Sequence, residues 1–104
     1  MKNKSRFKRG FRKNKRIDHP AYLLGRNGDK YDYIGITHSD KTNGKNNIPL
    51  KKNPNPNDKR KSYVRPTVES DDPKNFGRSY KDWAFGSEDK KTVQKIYDKS
   101  KNKK

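Results

Sequence analysis

The chain has 104 residues, with 29 Lys and Arg against 12 Asp and Glu, a net charge of +17, and only 24% apolar residues. Such a chain can build one small domain with a small core, and its charge draws it to polyanions. The absence of cysteine excludes a disulfide framework, a thiolate nucleophile and a zinc–thiolate centre, and fits a reducing cytoplasm.

The first 17 residues hold nine Lys or Arg and no acid, and read as a flexible, disordered basic tail. Phe7 and Phe11 stand four apart in it, a spacing that becomes helical only against a partner. Arg6, Arg9, Arg12, Lys13 and Arg16 are its expected nucleic-acid contacts. The basic start is followed by no apolar stretch, so it is not a secretory signal, and nothing reaches membrane-spanning length. No membrane partner is expected.

A single domain is expected over 18–99. Ala21–Arg26 and Tyr31–His38 are strand-like runs, joined through Asn27-Gly28, a strong signal for a tight hairpin. Residues 40–47 are polar and turn-like. Ile48-Pro49-Leu50 is limited by its proline to an edge strand. The run from Asn53 to Asp58, with prolines at 54 and 56, is a stiff loop, and Ser62–Val68 is another strand. Residues 69–82 are irregular, with Trp83 and Phe85 as anchors after them. Ser87 is the expected N-cap of a helix running to about Lys99, with Glu88 and Asp89 in its first turn and Val93, Ile96 and Tyr97 as its apolar stripe. Residues 100–104 are a basic C-terminal tail.

Strand parity sets the architecture. Ile34 and Ile36 point one way and Tyr31, Tyr33 and Thr37 the other; Val64 and Val68 likewise oppose Tyr63, Arg65 and Thr67. The fold expected is α+β: a small antiparallel sheet of three to four strands, with the C-terminal helix packed on its aliphatic face. The other face is then wet, aromatic and basic.

The charge points to phosphate, since each Lys or Arg that displaces a counterion gains entropy from its release. Lys41, Lys51 and Lys52 add contacts beyond the tail. Tyr31 and Tyr33 can stack on unpaired bases, which favours RNA over duplex DNA. Metal-free RNA cleavage needs a base, an acid and a cation. His19 and His38, the only histidines, stand at the two ends that a tight hairpin brings together. Thr37, Tyr63 and Arg65 complete the candidate catalytic set. There is no Walker motif, HExxH or calcium-loop spacing, and neither metal nor cofactor is expected.

The segments His19-Pro20-Ala21-Tyr22 and Tyr33-Ile34-Gly35-Ile36-Thr37-His38-Ser39 resemble the sheet core of toxin-like ribonucleases, the superfamily of barnase, the RNA-cleaving colicins and RelE-type toxins. The resemblance covers about residues 19–68. It implies a short antiparallel sheet with helix packing, metal-independent cleavage by His19, His38, Thr37, Tyr63 and Arg65, and an inhibitory protein partner. Many members place helices before the sheet, and this chain places its helix after it. Three functions therefore stay open: a metal-independent endoribonuclease of a mobile element; a non-catalytic RNA- or ribosome-associated binder; and a phage or plasmid interaction protein.

Overall fold

The computed structural model describes residues 7–102. In chain order it contains β1 (Gly10–Asn14), β2 (His19–Asn27), β3 (Lys30–Thr37), β4 (Lys41–Thr42), β5 (Lys45–Asn46), β6 (Ile48–Pro49), β7 (Tyr63–Val64), β8 (Glu69–Asp71), a 3₁₀ turn (Pro73–Asn75), β9 (Phe76–Ser79) and α1 (Ser87–Asn102). Seven strands form one sheet in the order β6-β7-β3-β2-β1-β9, with β8 also on β3; β4 and β5 make a separate ribbon. All pairings are antiparallel. The α+β class is as expected, with more strands than the three to four foreseen.

The β2–β3 hairpin forms at the expected place, with Gly28-Asp29 as its two-residue turn and Asn27 as the last residue of β2. Gly28 has φ 64°, a conformation other residues rarely adopt, and Asn27 pairs with Lys30 across the turn. By alternation Leu23 and Leu24 enter different cores, and a bulge between Leu23 and Gly25 then shifts the pairing so that Gly25 stands opposite Asp32.

The first core lies between the sheet and α1. Ile34, Ile36, Val64, Leu24 and Leu50 meet Val93 and Tyr97 there, with Val68 and Ile96 at its edge, as parity predicted. Two carboxylates fix the helix. Asp89, buried, accepts hydrogen bonds from the amides of Lys51 and Lys52 at 2.9–3.2 Å. Asp32 accepts one from the Tyr97 hydroxyl at 3.1 Å and one from Ser70 at 2.6 Å. The first helical hydrogen bond runs from Lys90 to the carbonyl of Gly86, which gives Gly86, rather than Ser87, the N-cap position. The helix continues through residues 100–102 of the expected tail.

The N-terminal expectation needs correction. Gly10–Asn14 is a strand inside the sheet, flanked by β2 and β9. Phe11 is 4% exposed, with its ring 4.7 Å from Tyr22, 4.8 Å from Phe85 and 5.7 Å from Trp83, centroid to centroid. Phe7 meets Tyr31 edge-on at 5.2 Å. The boundary drawn at residue 17 therefore cuts through the β1–β2 hairpin. Burial of Phe11, not local propensity, holds β1 in the sheet; the cations beside it spend their donors on the protein itself. Arg12 donates to the carbonyls of Gly77 and Phe76. Residues 1–6, Arg6 among them, lie outside the described residues.

The second face is wet only in part. Ala21, Leu23, Tyr33 and Phe76 form a second buried cluster, with Phe7, Ile17 and Tyr31 packed against it. Phe76 reaches it because β9 follows the 3₁₀ turn and adds to β1. Asp71 and Asn14, both buried, tie this side together. Asp71 accepts from Asn14, Arg16 and Asn75, and Asn14 accepts from the amides of Arg16 and Ile17. Burial pushes the Asp71 carboxyl up, but those bonds and the Asp72 amide outweigh it and hold the group well below the usual carboxylate range.

Candidate active face

The second face carries most of the expected catalytic set. The register Ala21↔Gly35 sets β2 beside β3, and Ile36↔Val64 and Thr37↔Tyr63 set β7 on the other side of β3. By alternation His19, Ala21, Tyr33, Gly35, Thr37, Tyr63 and Arg65 share this face. Its middle is a pocket of about 230 Å³, lined by Arg16, Ile17, Tyr33, Gly35, Arg65 and Glu69.

Arg65 crosses β3 because residue 35 has no side chain: a Cβ on Gly35 would come within 3.1 Å of the Arg65 Cγ. The Arg65 amide also donates to the Gly35 carbonyl at 3.0 Å. Among the described residues its Nε is buried without a hydrogen-bond partner. Arg16 stands across the pocket, its Nε 2.7 Å from Asp71 and a terminal nitrogen 3.2 Å from the Tyr33 hydroxyl. Burial raises the Tyr33 phenol, against the pull of Arg16, which keeps its proton on. Glu69 pairs with Tyr33 in the β3–β8 register and brings a carboxylate to the pocket wall.

His19 opens β2 as an exposed residue opposite Asn14. Thr37 ends β3 half-buried, its hydroxyl accepting from the Ser39 amide at 3.2 Å. Tyr63 is half-buried beside it.

His38 is not brought to this face. Its Nδ1 lies 3.1 Å from the Lys61 carbonyl and its Nε2 3.4 Å from Asp58, so it docks on the loop between β6 and β7. Its ring nitrogens are thus engaged by the loop, on the side of β3 away from the pocket.

The expected nucleic-acid contacts divide. Arg9 donates to the Leu24 carbonyl and to Gln94, Lys13 pairs with Asp18 at 2.8 Å, and Arg12 and Arg16 are engaged as described. These four brace the fold. Tyr33 is 2% exposed and offers no open ring face for base stacking, whereas Tyr31 is half-buried, in contact with Phe7 and Phe76. Lys41, Lys51 and Lys52 are exposed, and Lys51 makes a loose ion pair with Glu88 at 3.4 Å.

Two features escape the sequence. Gly35 reads there as one more strand residue, yet its missing side chain admits Arg65. Glu69 lies in a stretch read as irregular, and only its pairing with Tyr33 brings it to the pocket. The alternation of Tyr33, Gly35 and Thr37 was the available signal for the glycine. Among the described residues no helix is long and apolar enough to cross a membrane. No known protein family, curated protein or solved structure matches this chain.

Proposed function

We propose that the protein is an RNA-directed, metal-independent endoribonuclease acting at the Gly35–Arg65 pocket. The observation that carries this reading is the pocket that Arg65 lines together with a second arginine, the Arg65 Nε being buried and, among the described residues, without a partner, on the strand face that also bears His19, Thr37 and Tyr63. A buried donor left without a partner costs about 1–3 kcal/mol, which a shift of the Arg65 side chain onto a phosphate bound in the pocket would recover.

The reaction that fits is transfer of the phosphodiester to its own 2′-oxygen. The 2′-oxygen forms a bond to phosphorus and the bond to the 5′-oxygen breaks, leaving a 2′,3′-cyclic phosphate and a 5′-hydroxyl. One proton leaves the 2′-hydroxyl and one reaches the 5′-oxygen. Glu69, on the pocket wall, takes the proton from the 2′-hydroxyl, and His19, further along the same strand face, gives one to the departing 5′-oxygen, replacing the two-histidine scheme. Arg65 and Arg16 hold the phosphate as charge builds on its oxygens. The Thr37 and Tyr63 hydroxyls position the strand at the end of the face.

The test is incubation of end-labelled RNA with the protein in EDTA. Cleavage with cyclic-phosphate ends is expected, and His19→Ala should slow it by about 10²–10⁴. His38→Ala should leave the chemical step intact. Salt-sensitive RNA binding without cleavage would overturn the enzyme and leave a non-catalytic RNA binder.

A further inference from the structure

The longest irregular segment, 50–62, is built rigidly. Asn53 donates to the Arg60 carbonyl at 3.0 Å and accepts from the Asn55 amide at 2.9 Å. The Leu50 amide bonds the Ser62 carbonyl, the Ala84 amide bonds the Pro54 carbonyl, and Asp89 takes the amides of Lys51 and Lys52. His38 fastens the far side through Lys61 and Asp58. These anchors hold open a basin of about 480 Å³ whose charged lining is Lys51, Lys52, Lys59, Arg60 and Lys61 against one carboxylate, Asp58.

That carboxylate is already spent. Arg60 holds it through Nε and a terminal nitrogen, at 3.0 and 2.8 Å, and the Arg60 amide adds a third bond, which together keep Asp58 far below the usual carboxylate range. Lys51 is loosely engaged with Glu88. Lys52, Lys59 and Lys61 make no ion pair among the described residues and are exposed. Three free cations thus converge on one ordered, concave surface, joined through His38 to the end of β3 where Thr37 and Tyr63 stand. Clustered like charges repel each other, and a polyanion relieves that repulsion while releasing its own counterions.

We infer that this basin is a second nucleic-acid site, which grips the sugar-phosphate backbone of a single strand through Lys52, Lys59 and Lys61, outside the cleavage pocket. Its ligand is a run of phosphates, read without regard to base. The inference rests on the RNA reading but not on cleavage. It also gives His38 a positioning role, fastening the loop that carries these lysines to the catalytic strand.

The test uses single-stranded 2′-O-methyl RNA, which lacks the attacking hydroxyl and stays intact. The triple variant K52Q/K59Q/K61Q is compared with K90Q/K91Q/K95Q, which removes the same charge from the exposed face of α1. The basin variant should flatten the slope of log affinity against log salt by about 2, at about 0.7 per lost single-strand contact. The helix variant should change it far less. Equal changes in the two would overturn the basin, leaving only diffuse charge, and so would an unchanged slope in the basin variant or no binding by the native protein. Binding and slope as expected, with RNA left uncut in EDTA, would sink the ribonuclease and keep the basin; RNA cut with an unchanged slope would do the reverse.

Discussion

Replacing Phe11 by alanine tests whether the N-terminal segment is a strand or a tail. Phe11 is 4% exposed and its ring lies within 6 Å, centroid to centroid, of Tyr22, Phe85 and Trp83. Truncating a buried Phe costs about 3–5 kcal/mol in lost transfer energy and cavity. The aromatic pairs lost with it fall largely within that range. Small domains hold only about 5–15 kcal/mol in total. At about 4–8 °C per kcal/mol for a domain of this size, the melting temperature should fall by roughly 12–40 °C. Trp83, the sole tryptophan, reports on this cluster, so its fluorescence can be followed in a thermal melt beside far-ultraviolet circular dichroism. Lys8→Ala, on an exposed neighbour, should stay within about 0.5 kcal/mol of the native protein. A Phe11→Ala protein that melts within about 4 °C of the native one would show that β1 does not belong to the folded sheet.

Three other outcomes follow from the packing. A Cβ at Gly25 would collide with the Tyr97 hydroxyl, so Gly25→Ala should cost about 1–3 kcal/mol in urea unfolding, and Tyr97→Phe should recover part of it; strictly additive losses would refute the contact. Gly35→Ala should push Arg65 aside and slow RNA cleavage about tenfold or more with little change in melting temperature, whereas an unaffected rate would separate Arg65 from the chemistry. Asp71 has a lowered folded-state pKa, so its stabilisation is present above its unfolded value near 4 and is lost as pH falls through the lower, folded value. Asp71→Asn should therefore be less stable at neutral pH and lose less stability than the native protein on acidification; parallel acid curves would contradict the network.

The parts of the fold legible in the sequence are those fixed by near neighbours. Asn27-Gly28 sets the hairpin, alternation separates Ile34 and Ile36 from Tyr33, and the spacing of Val93, Ile96 and Tyr97 sets the helix face. Alternation also groups Thr37, Tyr63 and Arg65. β1 was hidden because Phe11 is its sole large apolar residue, set among cations whose partners are carbonyls of β9 and a carboxylate in β8. The dry part of the second face was hidden for the same reason: Phe76 covers Ala21, Leu23 and Tyr33 only after β9 joins β1. The docking of His38 was hidden because the loop that receives it, through Asp58 and Lys61, follows 20 or more positions later. Glu69 needed the β8 pairing. In each case the deciding partner is distant in sequence and chosen by packing.

The position of β1 has a consequence for how the protein comes into being. Arg12 on the first strand reaches the carbonyl of Gly77, 65 positions along, and Arg16 reaches Asp71, 55 positions along. Such long closures are slow compared with hairpin formation. On a ribosome the first strand emerges early and must wait, cation-rich and without β9, until most of the chain has followed. Arg16 is set on the pocket by Asp71 in the same late event. The pocket therefore assembles only when the first strand meets the late strands β8 and β9, so a truncated or half-made chain carries the charge that attracts RNA but not the assembled face proposed to cut it.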